Sequence, residues 1–214
     1  MSSKRGYLAA RRALDVAASL AALALLSPVL AASAIAVRST MGSPVLFRQR
    51  RTGHKGEFDV LKFRTMVNGA EQIGGGYMAD DLIPPVGKFL RRWSLDELPQ
   101  LVNILKGDMA FVGPRPALPK QVAKYTERQA GRLAVPQGLT GLAQVRYRNN
   151  APWSVRIESD LEYVDAIGPL TDLKLLLLTV QRVLTGQGMR MDQTPADRID
   201  DLGKPESASV RETA

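Results

Sequence analysis

The longest apolar block in the chain comes early. From Val16 to Val37 no charged residue interrupts it, and Ser27-Pro28 sits near its middle. A proline there removes a backbone hydrogen bond and bends a helix. The block therefore predicts a helix-break-helix, in which the Ser27 hydroxyl re-satisfies part of the freed backbone. Further on, Val45-Leu46-Phe47 and Phe58 to Phe63 predict two short strands around a Gly-containing turn. Lys62 and Arg64 would project to the same side of the second strand. Residues 68–85 are Gly-rich, acidic at Asp80-Asp81, and read as a loop. Val86, Phe89, Leu90 and Trp93 mark one face of a short helix, with Lys88, Arg91 and Arg92 on the other. That pattern suits a helix lying in a headgroup layer and equally a helix packed on a core.

The central stretch, Ser94 to Pro116, reads SLDELPQLVNILKGDMAFVGPRP. Leu98, Leu101, Val102 and Leu105 predict one apolar helical face, with Gly107 as the stop. Residues 118–134 are polar and read as helix, and 135–141 as turn chemistry. Leu142 to Val145 reads as a strand and Arg156–Ile167 as an acid-rich helix, and a last helix is capped by Thr171 or Asp172. From Gly186 the chain is polar. The expected fold class is α/β in the α+β sense, mostly helical with a small sheet. Three parts are expected: a basic N-terminus and hairpin over 1–40, a catalytic body over 41–185, and a polar tail over 186–214.

Charge sharpens the reading of the first block. Residues 1–64 hold eleven Lys/Arg against three acids, and the remaining 150 hold eighteen of each sign, so the whole net charge of +8 lies in the N-terminal third. A basic third points to an anionic surface or substrate: headgroups, phosphates or nucleic acid. Three fates fit the apolar run. A signal peptide fits the Ala32-Ser33-Ala34 site but not the dense positive charge that follows. A straight span puts one basic flank on the wrong side. A re-entrant hairpin broken at Ser27-Pro28 keeps both flanks on the cytoplasmic face, and it is the reading carried forward.

Composition excludes several chemistries. There is no cysteine, so disulfides, thiol catalysis and cysteine zinc sites are out. The single histidine, His54, lies in a basic Gly-containing turn and reads as a loop residue rather than the base of a Ser-His-Asp triad. Neither a P-loop nor a Rossmann glycine motif is present. What remains is the acidic pair Asp96-Glu97 at the head of a helix. Two registers are open: a capping box with Ser94 as N-cap and Glu97 reaching back, or a helix start at Pro99. In both, the carboxylates meet unpaired N–H groups and a positive dipole end. A carboxylate can attack a phosphoryl group, and a second can hold a divalent cation against phosphate oxygens. Arginines serve the equatorial oxygens. Gly113-Pro114-Arg115-Pro116 presents one such guanidinium stiffly, and Lys62 with Arg64 reads as a phosphate clamp or as a solvated basic edge.

Together these segments resemble the bacterial sugar transferase family, the small monotopic phosphoglycosyl transferases. The resemblance rests on Ser27-Pro28 in an apolar hairpin, LKFRTM at 61–66, DELPQLVNILKGDMAFVGPRP at 96–116, PQGLTGLAQV at 136–145 and DLK at 172–174. It covers roughly residues 10–185. It implies that Asp96 attacks the β-phosphate of a UDP-sugar and that Glu97 binds Mg²⁺. Lys62, Arg64, Arg115 and Arg148 would handle phosphates or the nucleotide, and Asp160 and Asp172 match acidic positions of the family counted with the substrate-binding set. The acceptor implied is a polyprenol phosphate, usually undecaprenyl phosphate. The place implied is the cytoplasmic face of the bacterial inner membrane, against its lipid, with amphipathic interfacial helices and no nucleic-acid partner. A homodimer is compatible with the chain. Where the family commonly reads Asn-Gly before Arg-Asn, this sequence has Arg146-Tyr147, which bears on sugar or nucleotide preference. The alternative from another class is a non-enzymatic basic module binding anionic lipid or nucleic acid through residues 1–64, which leaves Asp96-Glu97 and GPRP without a role.

Overall fold

The computed structural model describes residues 2–67, 69, 82–147, 151–185 and 201–202. Asp80-Asp81 with most of the 68–85 loop, Arg148, and nearly all of the tail from Gly186 lie outside the described residues. Helix α1 (Ser2–Leu25) and helix α2 (Ser27–Met41) meet at Leu26, and the pair bends by 63°. Pro28 has no N–H to give the carbonyl of Ala24, and the Ser27 hydroxyl donates to that same carbonyl at 2.8 Å. Among the described residues no single helix is long and apolar enough to cross a membrane, though the bent pair passes by length and composition.

The hairpin is packed into the body along one edge. Arg11, Asp15 and Ser19, one turn apart on α1, are all buried. Ala22, Leu23 and Leu26 pack against a core of Val60, Leu101, Ile104 and Met109. On α2, Val37 packs with Phe63 and Leu90. Opposite faces stay bare, with Leu14, Leu20, Leu25 and Ile35 among the exposed large apolar residues.

Strands β1 (Leu46–Gly53) and β2 (Gly56–Phe63) form an antiparallel hairpin, Leu46 opposite Phe63 and Gly53 opposite Gly56. Strand β1 runs further than the apolar pattern suggests, because the basic residues Arg48, Arg50 and Arg51 occupy strand positions as well, and β2 begins two residues earlier, at Gly56. Helix α3 (Pro85–Arg92) buries Leu90 and Gly87, and leaves Phe89 and Trp93 exposed. A Cβ on Gly87 would meet the carbonyl of Thr65 at 2.2 Å, so the helix seats against the chain leaving β2. Ser94 then adopts a left-handed conformation (φ 55°), and Leu95–Glu97 forms a 3-10 turn. Helix α4 (Gln100–Lys106) follows directly on Pro99 and ends at Gly107 (φ 88°).

The capping box is not formed. Ser94 makes no side-chain cap, and the helix starts after Pro99, whose ring fits a first turn without a donor. The buried face of α4 is Gln100, Leu101, Asn103 and Ile104 rather than the expected stripe of Leu98, Leu101, Val102 and Leu105, because Asn103 is drawn in by the β2 backbone. Its amide donates to the Asp59 carbonyl at 2.8 Å and its oxygen accepts from the Leu61 N–H at 3.0 Å.

Strand β3 (Ala110–Val112) runs parallel to β4 (Gly138–Thr140), with Ala110 beside Gly138 and Val112 beside Thr140. The strand therefore falls in the glycine-rich stretch read as a turn. Leu142 to Val145 is instead helix α7 (Leu142–Tyr147), which follows the short helices α5 (Pro119–Val122) and α6 (Glu127–Ala130). Glycine decides this: a Cβ on Gly138 would sit 2.1 Å from the Gly113 nitrogen, and one on Gly141 would sit 2.2 Å from the Gly113 carbonyl oxygen. Helices α8 (Trp153–Ala166) and α9 (Pro169–Leu184) close the fold. They pack Tyr163, Ile167 and Leu175 with Val112, Val135 and Val145. Asp172 does not cap α9. It is buried, and accepts from Tyr7 at 2.7 Å, Tyr163 at 2.8 Å and Arg11 at 3.1 Å.

Candidate active site

The left-handed Ser94 and the 3-10 turn set Asp96 and Glu97 at the junction of α3, α4 and β2. Asp96 is 6% exposed, and its Oδ1 is buried with no hydrogen-bond partner. Glu97 turns the other way. Its Oε1 accepts from Lys62 Nζ at 2.6 Å and from Arg115 at 2.8 Å. Lys62 reaches it from β2, and the Asn103 bonds to the β2 backbone on either side of Val60 fix that strand against the helix that follows the acids.

The two neighbours ionise in opposite senses. Burial, and then the negative charge of Glu97, push Asp96 up to about 6, with Lys62, Arg91 and Arg115 opposing. Burial acts on Glu97 too, but Arg115 and Lys62 outweigh it and hold that carboxyl well below the usual range. Burial lowers Lys62, and Glu97 opposes the shift. Glu97 is thus a fixed anion, and Asp96 a carboxylate of raised basicity.

The GPRP turn is held along its whole length. The carbonyl of Pro114 accepts from the Gly138 N–H at 2.9 Å, Arg115 from Arg132 at 2.7 Å, Pro116 from Arg51 at 3.1 Å and Ala117 from the Thr52 N–H at 2.9 Å. Arg132 is fully buried and is the keystone. It bonds Asp160 Oδ2 through Nε at 2.9 Å and through a second, shorter contact, and Tyr125 at 2.9 Å. The Arg115 guanidinium is therefore aimed by its backbone, as the two prolines suggest, and by Arg51, Arg132 and Tyr125, which the sequence does not single out.

The residues expected at the site divide accordingly. Asp96, Glu97, Lys62 and Arg115 come together. Arg64 does not join them, because β2 ends at Phe63 and alternation ends with it. Its guanidinium donates instead to the carbonyls of Met41, Gly42 and Ser43. Asp160 is engaged by Arg132 and Asp172 by the α1 network, so both brace the fold around the site. Ser27 and Pro28 lie at the hairpin break, and Arg148 lies outside the described residues. Arg146 forms a surface pair with Glu162. Three cations were missed. Arg91, bonded to Thr65 at 2.7 Å, helps hold the charge of Asp96. Arg51 is lowered to about 10 by burial and then by Arg115, with Glu97 opposing. Arg156 is likewise lowered to about 10, by burial and then by Arg115. Arg51 sits in a basic strand and Arg156 in an acidic helix, and neither has a local pattern that marks it.

Among the described residues no cluster of three or more His, Asp or Glu could hold a metal by itself. The acidic pair nonetheless suits Mg²⁺, which takes one or two carboxylates and completes its shell with substrate oxygens and water. The buried Asp96 Oδ1 makes no hydrogen bond within the described residues, so it is not committed to another donor.

A model of the bacterial sugar transferase family matches residues 6–186, and the chain belongs to that family. Among similar proteins is an uncharacterized sugar transferase, EpsL, of Bacillus subtilis, 39% identical over 90% of this chain and 96% of its own length. The UDP-glucose:undecaprenyl-phosphate glucose-1-phosphate transferase of Caulobacter vibrioides is 40% identical over 82% of this chain and 70% of its own. The exopolysaccharide production protein ExoY of Rhizobium meliloti is 34% identical, covering 84% and 87%.

Proposed function

We propose that the chain transfers a phosphosugar from a UDP-sugar to a polyprenol phosphate of the undecaprenyl type, releasing UMP, as a membrane step of polysaccharide synthesis. Family membership and the activity printed for the Caulobacter relative support the reaction class. The observation that carries the mechanism is the buried, unpartnered Asp96 oxygen beside Glu97, ringed by Lys62, Arg91 and Arg115. The basic-module alternative gives this arrangement no purpose.

In the first half-reaction an Asp96 carboxylate oxygen forms a bond to the β-phosphorus. The bond to the oxygen bridging the two phosphates breaks, and its electron pair leaves with UMP. In the second, a phosphate oxygen of the acceptor attacks the same phosphorus, and the pair returns to Asp96. Glu97 stays ionised throughout and holds Lys62 and Arg115 against the phosphoryl oxygens. Mg²⁺ held by the acidic pair would neutralise charge on those oxygens. Asp96 raised to about 6 remains largely ionised at neutral pH and is a better nucleophile than an unperturbed aspartate.

The bent hairpin supports a re-entrant segment, with both basic flanks and the catalytic body on the cytoplasmic face of the inner membrane. The unpaired apolar faces of α1 and α2 would then meet lipid. UMP release from a panel of UDP-sugars, with Mg²⁺ and undecaprenyl phosphate, tests the reaction. One sugar reacting with wild type and none with Asp96→Asn is expected. Undiminished release by that variant would remove Asp96 as nucleophile.

A further inference from the structure

Arg156 has no role in the site as described so far, yet it is poorly satisfied where it stands. Its Nε and NH2 are buried without a hydrogen-bond partner. The guanidinium lies over the Trp153 ring, 5.3 Å from its centre, both residues belonging to the first turn of α8. Neither acid that acts on it is hydrogen-bonded to it. Asp160, one helical turn on, gives Oδ2 to Arg132 while its buried Oδ1 has no hydrogen-bond partner, and Asp201 binds Ser154 through both its oxygens. The other charge acting on Arg156 is a like charge, Arg115, the guanidinium bound to Glu97. A planar, stacked, desolvated fork with donors unmet and a second guanidinium for a neighbour is an arrangement completed by a phosphate.

We propose that Arg156, held flat by Trp153, binds a second phosphate group of the substrates, next to the one that Arg115 serves. This rests on the phosphosugar-transfer reading. Two phosphates are candidates, with the same chemistry: the nucleotide phosphate that leaves as UMP and the phosphate of the polyprenol acceptor. In the first half-reaction the nucleotide phosphate gains the electron pair of the broken bond, so a fork placed there would favour departure. In the second, a fork on the acceptor would orient the attacking oxygen.

The test uses the full chain with Arg156→Gln and Arg156→Lys beside wild type, each first checked for wild-type melting. UMP affinity is measured by calorimetry, and KM for the UDP-sugar and for undecaprenyl phosphate by UMP release. Loss of a charged, bidentate contact weakens binding about tenfold or more. A rise of that size in the UMP dissociation constant of Arg156→Gln, with acceptor KM unchanged, assigns the leaving nucleotide. The reverse pattern assigns the acceptor phosphate, and a smaller effect in Arg156→Lys is expected in both cases. If Arg156→Gln does not fold, Arg156→Lys decides, because it keeps the stem and charge but loses the fork. Values within twofold of wild type for both ligands overturn the proposal while the reaction stands. A wild type that neither binds UMP nor turns over any donor overturns the functional reading itself, and this proposal with it.

Discussion

At the scale of single residues, the central relation is between two adjacent carboxylates in opposite electrostatic settings. The folded protein holds Asp96 at about 6, above its value in an unfolded chain, so its ionisation opposes folding. The stability it contributes is fully present at acid pH, below the unfolded value, and is lost as pH rises through about 6. Asp96→Asn removes that cost. The variant should be inactive yet more stable than wild type at pH 7.5, by roughly 1–3 kcal/mol. The gain should vanish near pH 4, as melting curves at the two pH values would show. Equal melting at both would mean that Asp96 is not held high. Wild-type turnover should fall as pH drops through about 6, where Asp96, the proposed nucleophile, takes up its proton. Glu97→Gln releases Lys62 and Arg115 together, so it should weaken the Mg²⁺ response and donor binding at once, read as the Mg²⁺ dependence of UMP release. An unchanged metal titration would argue against that role.

At the scale of elements, the site depends on contacts that join pieces far apart in sequence. Arg132 and Asp160 form a fully buried ion pair that also carries the Arg115 carbonyl. Asp160→Asn leaves a buried guanidinium uncompensated and should cost about 3–5 kcal/mol, measured by denaturant unfolding. A cost below about 1 kcal/mol would mean that solvent reaches the pair. These contacts also mark what was legible in the sequence. Asp96, Glu97, Lys62 and Arg115 stand in local patterns: paired acids, a strand, a proline-framed arginine. The break at Ser27-Pro28 and the stop at Gly107 were equally readable, since each follows from one residue's backbone chemistry. Arg132, Arg51 and Arg156 were not, because their partners arrive from other elements. The strand at 138–140 was masked by glycines that serve close packing against Gly113 rather than a turn. Arg64 was misplaced by one residue of strand length.

At the scale of the molecule, the hairpin and the catalytic body are fastened together by buried polar groups. Arg11 on α1 and Asp172 on α9 form an ion pair at 3.1 Å, joined by Tyr7 and Tyr163. Arg12 also donates to the Leu105 carbonyl at 2.7 Å, at the end of the helix that follows the acids. The proposed membrane arrangement has a direct test, because the chain has no cysteine of its own. Single cysteines at Gly6 and Ser39, at the two ends of the hairpin, should both resist a membrane-impermeant thiol reagent applied to intact spheroplasts, and both should react after lysis. Labelling of one end from outside would show a straight span.

The most direct test of the central claim is to incubate the protein with its UDP-sugar and Mg²⁺ in the absence of acceptor and weigh the intact chain. A mass increase of one sugar phosphate, mapped to the peptide containing Asp96 and absent in Asp96→Asn, is the predicted result. A wild type that gains no mass, and releases UMP only once the polyprenol phosphate is added, would instead mean direct transfer between the substrates and no covalent role for Asp96.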